Sequence, residues 1–252
     1  MISPQALPDA QLDSPLGRVS PLAKLAVALG WMIGLAFTLS PWPPIVIGLA
    51  ALVAGLGLGR IEPRHLFAAL APLWLAALGI GLFNALFGAA NNDPTAPALV
   101  QLGPFRITAG AALAGVGLGL RVLAIATVGA VFTLTTDSTR LVDSLVQQAR
   151  MPERFAYGAL AAYQAIPRFV EDLANLRQAR RIRGLRGSWH PRLLLGLLVL
   201  AIRHGDRLAI AMDARGFGTA ERSRYREVHW SPADGLLAAG SVGILVLALA
   251  LR

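Results

Sequence analysis

The chain alternates long stretches without charge and one long stretch dense in it. From Leu25 to Gly59 there is no Asp, Glu, Lys or Arg. That run is too long for one membrane-crossing helix, and Ser40-Pro41-Trp42-Pro43-Pro44 interrupts it. The pattern therefore predicts two spans, at 22–39 and 44–59, joined by a tight hairpin with an interfacial tryptophan. Gly55, Gly57 and Gly59 suit the second span to close helix packing. After the short charged loop Arg60-Ile61-Glu62-Pro63-Arg64-His65, the run 66–88 forms a third span with Pro72 and Asn84 inside it. Asn84 is expected to bond between helices. Residues 89–106 read as a polar, turn-rich loop around Asn91-Asn92-Asp93-Pro94. The fourth run, 107–136, is interrupted only by Arg121. It should begin as a glycine-rich packing segment and become the span near residue 115. Residues 235–251 make a fifth run, just long enough to cross. Residues 1–21, with Pro4, Pro8, Pro15 and Pro21 and no periodicity, read as a loose arm without an evident cleavable signal.

Between 137 and 234 the pattern turns amphipathic. Thr136-Asp137-Ser138-Thr139 offers caps to a short helix in which Leu141/Leu145 and Val142/Val146 repeat at helical spacing. Met151-Pro152 ends it, and half-apolar character suits it to a membrane boundary. A second helix, 153–183, places Phe155, Ala159, Ala162, Ile166, Phe169, Leu173 and Leu176 on one face. Arg154, Arg168, Glu171, Asp172, Asn175 and Arg177 fall mostly opposite, and Pro167 should kink the helix. A third begins after Trp189-His190-Pro191; its apolar part, 193–202, is too short to cross a bilayer. The second and third helices close alike, in Arg183-Gly184 and in Ala214-Arg215-Gly216. Each has arginine in the last turn and glycine just beyond, where the chain must leave the helix. The predicted fold is all-α: a polytopic membrane protein with about five transmembrane helices plus three cytoplasmic amphipathic helices. Its divisions are an arm (1–21), spans one to four (22–136), cytoplasmic helices (137–218), a linker (219–234) and the last span (235–252).

Composition sharpens that picture. Of 252 residues 55% are hydrophobic and only 15% charged, against about 25% charged in an ordinary soluble domain. The net charge of +9 could suggest nucleic acid. Its distribution speaks for membrane topology instead, because sixteen of the 23 basic residues lie between 137 and 234. With the amino terminus inside, those sixteen and Arg18, Lys24, Arg60 and Arg64 are cytoplasmic, while Arg106 and Arg252 are outside. The expectation is amino terminus in, carboxyl terminus out, and no nucleic-acid partner. Absence of cysteine excludes disulfides, thiolate metal sites and a cysteine nucleophile. The only lysine, Lys24, lies in no glycine-rich phosphate loop, which excludes a P-loop ATPase and a lysine Schiff base. His65, His190, His204 and His229 lack metal-ligand spacing, so no metal and no catalytic residue is expected. Arg121 is a costly membrane charge that either serves a function, forms a salt bridge or snorkels outward. The basic run Arg177, Arg180, Arg181, Arg183 and Arg186 also suits anionic membrane lipids.

Several residues carry a family resemblance: Thr135-Thr136 followed by Leu141, Ile166-Pro167 with Glu171, Arg183-Gly184, and above all Ala211-Met212-Asp213-Ala214-Arg215-Gly216-Phe217. Together they resemble the transmembrane T component (EcfT, CbiQ and BioN) of energy-coupling-factor transporters. These are vitamin- and metal-importing ABC systems of the bacterial inner membrane, with cobalt, biotin and thiamine among their substrates. The resemblance implies a non-catalytic subunit whose coupling helices dock into two ABC-type ATPase subunits through Arg183-Gly184 and Ala214-Arg215-Gly216. Pro167 and Glu171 would then belong to the structure of the coupling helix. It also implies a small membrane S component that holds the substrate, and ATP bound by the partners, leaving this chain without a cofactor. One departure bears on the first tip, which reads Ile182-Arg183-Gly184 rather than Ala-Arg-Gly and is followed by Leu185-Arg186-Gly187. The docking arginine there is Arg183 or Arg186. Two other classes compete. An integral membrane enzyme acting on anionic lipid-linked substrates calls for clustered carboxylates or histidines at the headgroup level, and a secondary transporter for ionisable groups and repeats within the spans.

Overall fold

The structure is a computed structural model that describes residues 14–38, 40–92, 96–102, 105–185, 190–219 and 226–251. Among the described residues the chain divides into two compact units, one holding those up to Leu141 and from His229, the other those from Val142 to Val228.

The first unit is apolar. Its helices are α1 (Pro15–Arg18), α2 (Pro21–Ala36), α3 (Trp42–Val53, continued by a π-turn Ala54–Leu58), α4 (Pro63–Phe87), α5 (Ala109–Thr135) and α9 (Pro232–Ala250). Proline occupies the first turn of α1, α2, α3, α4 and α9, where its missing N–H costs nothing. Three segments are long and apolar enough to cross a membrane: α4 with the turn after it, α5 and α9. The helices Pro21–Ala36 and Trp42–Leu58 are apolar but shorter. Trp31, Leu35, Ile47, Ala51, Ala124, Val128 and Ala248 form one core cluster from α2, α3, α5 and α9. A second joins Leu16, Ile61, Leu66, Leu70 and Val131.

Lipid offers no hydrophobic drive between helices, so close backbone approach replaces it. A Cβ added at Gly115 of α5 would lie 2.5 Å from the Gly81 carbonyl oxygen of α4, and one at Gly119 would lie 3.0 Å from that of Ala77. The glycine-rich start of α5 is thus its packing surface. Buried charge seals helix ends. Asp234 accepts from Ser20 N (2.7 Å) at the start of α2 and from Ser231 N (2.9 Å) at its own helix start. Buried Lys24 donates to the Thr135 carbonyl (2.7 Å) at the end of α5. Both charges match the local dipole sign.

Two local expectations need correction. The segment expected as a loop contains an antiparallel hairpin, β1 (Ala98–Leu102) with β2 (Phe105–Thr108), because its β-branched and aromatic residues favour strand. The polar link between membrane helices is Asn91, not Asn84, whose side chain makes no hydrogen bond among the described residues. Asn91 donates to the Ala85 and Leu86 carbonyls (2.8 and 3.1 Å) and accepts from Thr108 N (2.9 Å), closing α4 and opening α5. It sits beyond the last turn, where free carbonyls wait.

The second unit begins within α6 (Ser138–Gln147) and contains α7 (Glu153–Ile182) and α8 (Pro191–Ala214). α7 and α8 run antiparallel: Leu176 lies against Gly196, Phe169 against His204, Tyr157 against Phe217 and Arg154 against Gly218. The inward face of α7 differs from the expected one over its first half. Ala156, Leu160 and Ala165 are buried there, while Phe155 is 72% and Ile166 53% exposed. The two stripes merge at Phe169, Leu173 and Leu176, all half-buried. Pro167 causes no break: α7 continues through it as one helix from Glu153 to Ile182.

Candidate functional site

The two Arg–Gly ends have one geometry. α7 closes on Arg183 (φ −76°) and then Gly184 (φ +71°); Gly184 N donates to Arg181 O (3.0 Å) and Leu185 N to Arg180 O (3.2 Å). α8 closes on Arg215 (φ −92°) and then Gly216 (φ +69°); Gly216 N donates to Asp213 O (2.9 Å) and Phe217 N to Met212 O (3.0 Å). Both are the paired-bond glycine cap, which leaves a left-handed residue just past the helix. Without a Cβ, glycine avoids the steric penalty of that conformation, about 1–2 kcal/mol for another residue.

The cap also explains why arginine precedes glycine. It makes Arg183 and Arg215 the last side chains of their helices, beside free carbonyls that favour a cation. Both are exposed, as is Ala214, and neither guanidinium has a hydrogen-bond or ion-pair partner among the described residues. The antiparallel arrangement puts the tips at opposite ends of the pair. The 24 residues of α8 separate them by about 36 Å at 1.5 Å per residue.

The remaining sequence candidates are spread. Arg186 lies outside the described residues. Pro167 is half-buried inside an α7 that continues through it, and Glu171, one turn on, is exposed without an ion-pair partner among the described residues. Arg121 lies near the midpoint of α5, half-buried, with its Nε buried and without a hydrogen-bond partner among the described residues. The salt bridge expected as one alternative for it is absent among the described residues, and His65 Nδ1 lies 3.4 Å from the Glu62 carboxylate. The other histidines seen in contact serve the fold: His190 Nδ1 accepts from Arg192 N (3.1 Å), and His204 stands edge-on to Phe169.

Residues that sequence reasoning passed over surround the second tip. Tyr157 of α7 donates to Asp143 of α6 (2.8 Å) and meets the ring of Phe217 edge-on at 6.3 Å. Asp143 carried a usable signal, a lone carboxylate on a helix lined by Leu141, Val142, Leu145 and Val146.

A bundle of apolar helices, three of them long enough to cross a membrane, joined in one chain to an antiparallel pair with arginine at both ends defines a polytopic membrane protein. Comparison makes the class definite. A family model described as CbiQ, cobalt transport protein, matches residues 13–226, so the chain belongs to the CbiQ family. Relatives named energy-coupling factor transporter transmembrane protein EcfT are similar along almost its whole length. The protein of Limosilactobacillus fermentum is 27% identical, covering 94% of this chain and 92% of its own. That of Heliobacterium modesticaldum is also 27% identical with the same coverage, and that of Macrococcus caseolyticus is 26% identical over 96% and 95%.

Proposed function

We propose that this chain is the transmembrane coupling subunit of an energy-coupling-factor importer. It passes ATP-driven movement of two ABC-type ATPase subunits to a small substrate-binding S component, and carries out no catalysis itself. The observation that carries the reading is the repeated cap: two exposed guanidiniums without a partner among the described residues, about 36 Å apart along α8, in a chain of the CbiQ family. An arginine fork binds a carboxylate or a pair of carbonyls with orientation as well as affinity, which suits a joint that must transmit movement. Arg183-Gly184 and Ala214-Arg215-Gly216 each enter one ATPase, from the cytoplasmic side. The first span starts from a cytoplasmic amino terminus, and the last leaves the carboxyl terminus outside. Arg177, Arg180 and Arg181 lie near the anionic lipid surface. ATP stays with the ATPases, and the S component selects the vitamin or metal ion.

The test is Arg215→Glu in the assembled complex, scored by ATPase co-purification and by uptake in proteoliposomes. Loss of a buried charged anchor costs roughly 2–5 kcal/mol, so affinity should fall about 30-fold or more. Arg215→Lys, which keeps charge but not the fork, should fall between. Wild-type uptake by Arg215→Glu would overturn the assignment.

A further inference from the structure

The two tips share a cap but not a mooring. At the first, Ile182 is 86% exposed and Leu185 half exposed. At the second, Phe217 follows the capping glycine and is half-buried, its ring edge-on to Tyr157 at 6.3 Å and 79°. Tyr157 in turn donates its hydroxyl at 2.8 Å to Asp143, a carboxylate only 7% exposed and without a cation in ion-pair reach among the described residues. A buried carboxylate needs donors, and a charge-assisted O–H bond is a strong one. Gly218 (φ +85°) lets the backbone pass so close to Arg154 that an added Cβ would lie 3.0 Å from its Nε. One turn along α6 from Asp143, Gln147 grips the returning chain with both amide atoms, donating to Arg226 O (2.8 Å) and accepting from Val228 N (2.9 Å).

We propose that Tyr157 and Phe217 are positioning residues that clamp the Arg215 tip to α6 through Asp143, leaving the Arg183 tip to move with the far end of α7. This rests on Arg215 being an ATPase anchor. The consequence is an asymmetric pair of levers. Load on Arg215 passes through two aromatic rings and one hydrogen bond into α6, and load on Arg183 travels the length of α7. Loosening the clamp should therefore spare docking and spoil transmission.

The test uses the complete complex in proteoliposomes, with Tyr157→Phe, Phe217→Ala and Phe217→Tyr. Tyr157→Phe removes one oxygen and keeps the ring contact but takes a donor from buried Asp143, so the thermal midpoint of each variant is measured alongside and the ratio is compared among folded complexes. Both Tyr157→Phe and Phe217→Ala should retain the ATPases at near wild-type level but raise ATP hydrolysed per substrate imported at least threefold. Phe217→Tyr should restore the wild-type ratio. Hydrogen exchange should quicken about tenfold at the capped amides of Gly216 and Phe217 in Phe217→Ala, with Gly184 and Leu185 unchanged. An unchanged ATP-to-substrate ratio in both variants overturns the clamp. So does loss of the ATPases from Phe217→Ala as complete as from Arg215→Glu, since Phe217 would then be docking surface. Should Arg215→Glu import normally, the anchor assignment fails by itself, and the exchange result still reports on the clamp.

Discussion

In the apolar unit, α4 and α5 approach until the backbone of Gly115 meets that of Gly81; in the charged unit, α7 and α8 touch through spaced side chains. The difference matches the composition of each unit, the first poor in charge and the second rich in it. Helices in lipid gain little by covering apolar side chains, because the tails are equally apolar, so they associate by small residues and close backbones. Helices in water gain about 25 cal/mol for every Å² of apolar surface covered. Yet α7 and α8 leave Phe155, Ile166, Val170, Leu195, Leu198, Ile202 and Ile210 exposed. The first unit also leaves large apolar side chains uncovered, Phe67, Leu75 and Phe83 among them, but on apolar helices of the kind that lipid covers. Exposed apolar stripes on a charged pair of helices mark surfaces written for a partner.

The contrast breaks most easily at the backbone contact. Gly115→Ala pushes a methyl to 2.5 Å from a carbonyl that cannot swing aside, and should destabilise the protein by about 2–3 kcal/mol. Gly30→Ala, with nothing within 4 Å of the new carbon, is the control and should be neutral or slightly stabilising. Thermal inactivation of the two variants in detergent ranks them; equal midpoints would deny that α4 and α5 depend on small residues. Next in size is Asp234→Ala. It strips the acceptor from the Ser20 and Ser231 amides and the nearby carboxylate from buried Lys24. The expected cost is about 2 kcal/mol, read by the same assay. Gly216→Ala and Gly184→Ala follow, at about 1–2 kcal/mol each. Their effect should be confined to the last turn of the affected helix, so exchange at Phe217 or Leu185 will quicken while global midpoints barely move.

Those positions also divide what the sequence made legible from what it hid. The uncharged runs and the two Arg–Gly caps could be read directly, since each depends on a few neighbouring residues: a missing charge, or a glycine one step past an arginine. The left-handed φ of Gly184 and Gly216 is the local rule obeyed twice. By contrast, Asp234 meets Ser20 across 214 positions of chain, and no spacing rule announces that. Tyr157 and Phe217 are ordinary aromatics until an antiparallel pairing brings them together. The face of α7 differs from expectation because alanines at 156, 159, 162 and 165 fit either side, and periodicity alone cannot choose between two stripes of small residues. Asn84 attracted notice for lying inside an apolar run, while Asn91, just beyond it, had free carbonyls to satisfy.

The smallest stability effect carries the sharpest contrast. Ile166 and Val170 lie one turn apart on the uncovered side of α7, 53% and 64% exposed. Replacing both with serine removes surface that the isolated chain does not bury, so stability should stay within about 0.5 kcal/mol of wild type. If the stripe is the seat of the small membrane component, the same variant should lose that component on purification while keeping its ATPases, because neither arginine tip is touched. The reciprocal variant, Arg215→Glu, should keep the small component and lose an ATPase. A double dissociation of this kind would assign the flank and the tips of the charged pair to separate partners. Loss of both partners from Ile166→Ser/Val170→Ser, with the fold intact by thermal midpoint, would mean that flank and tips act as one surface.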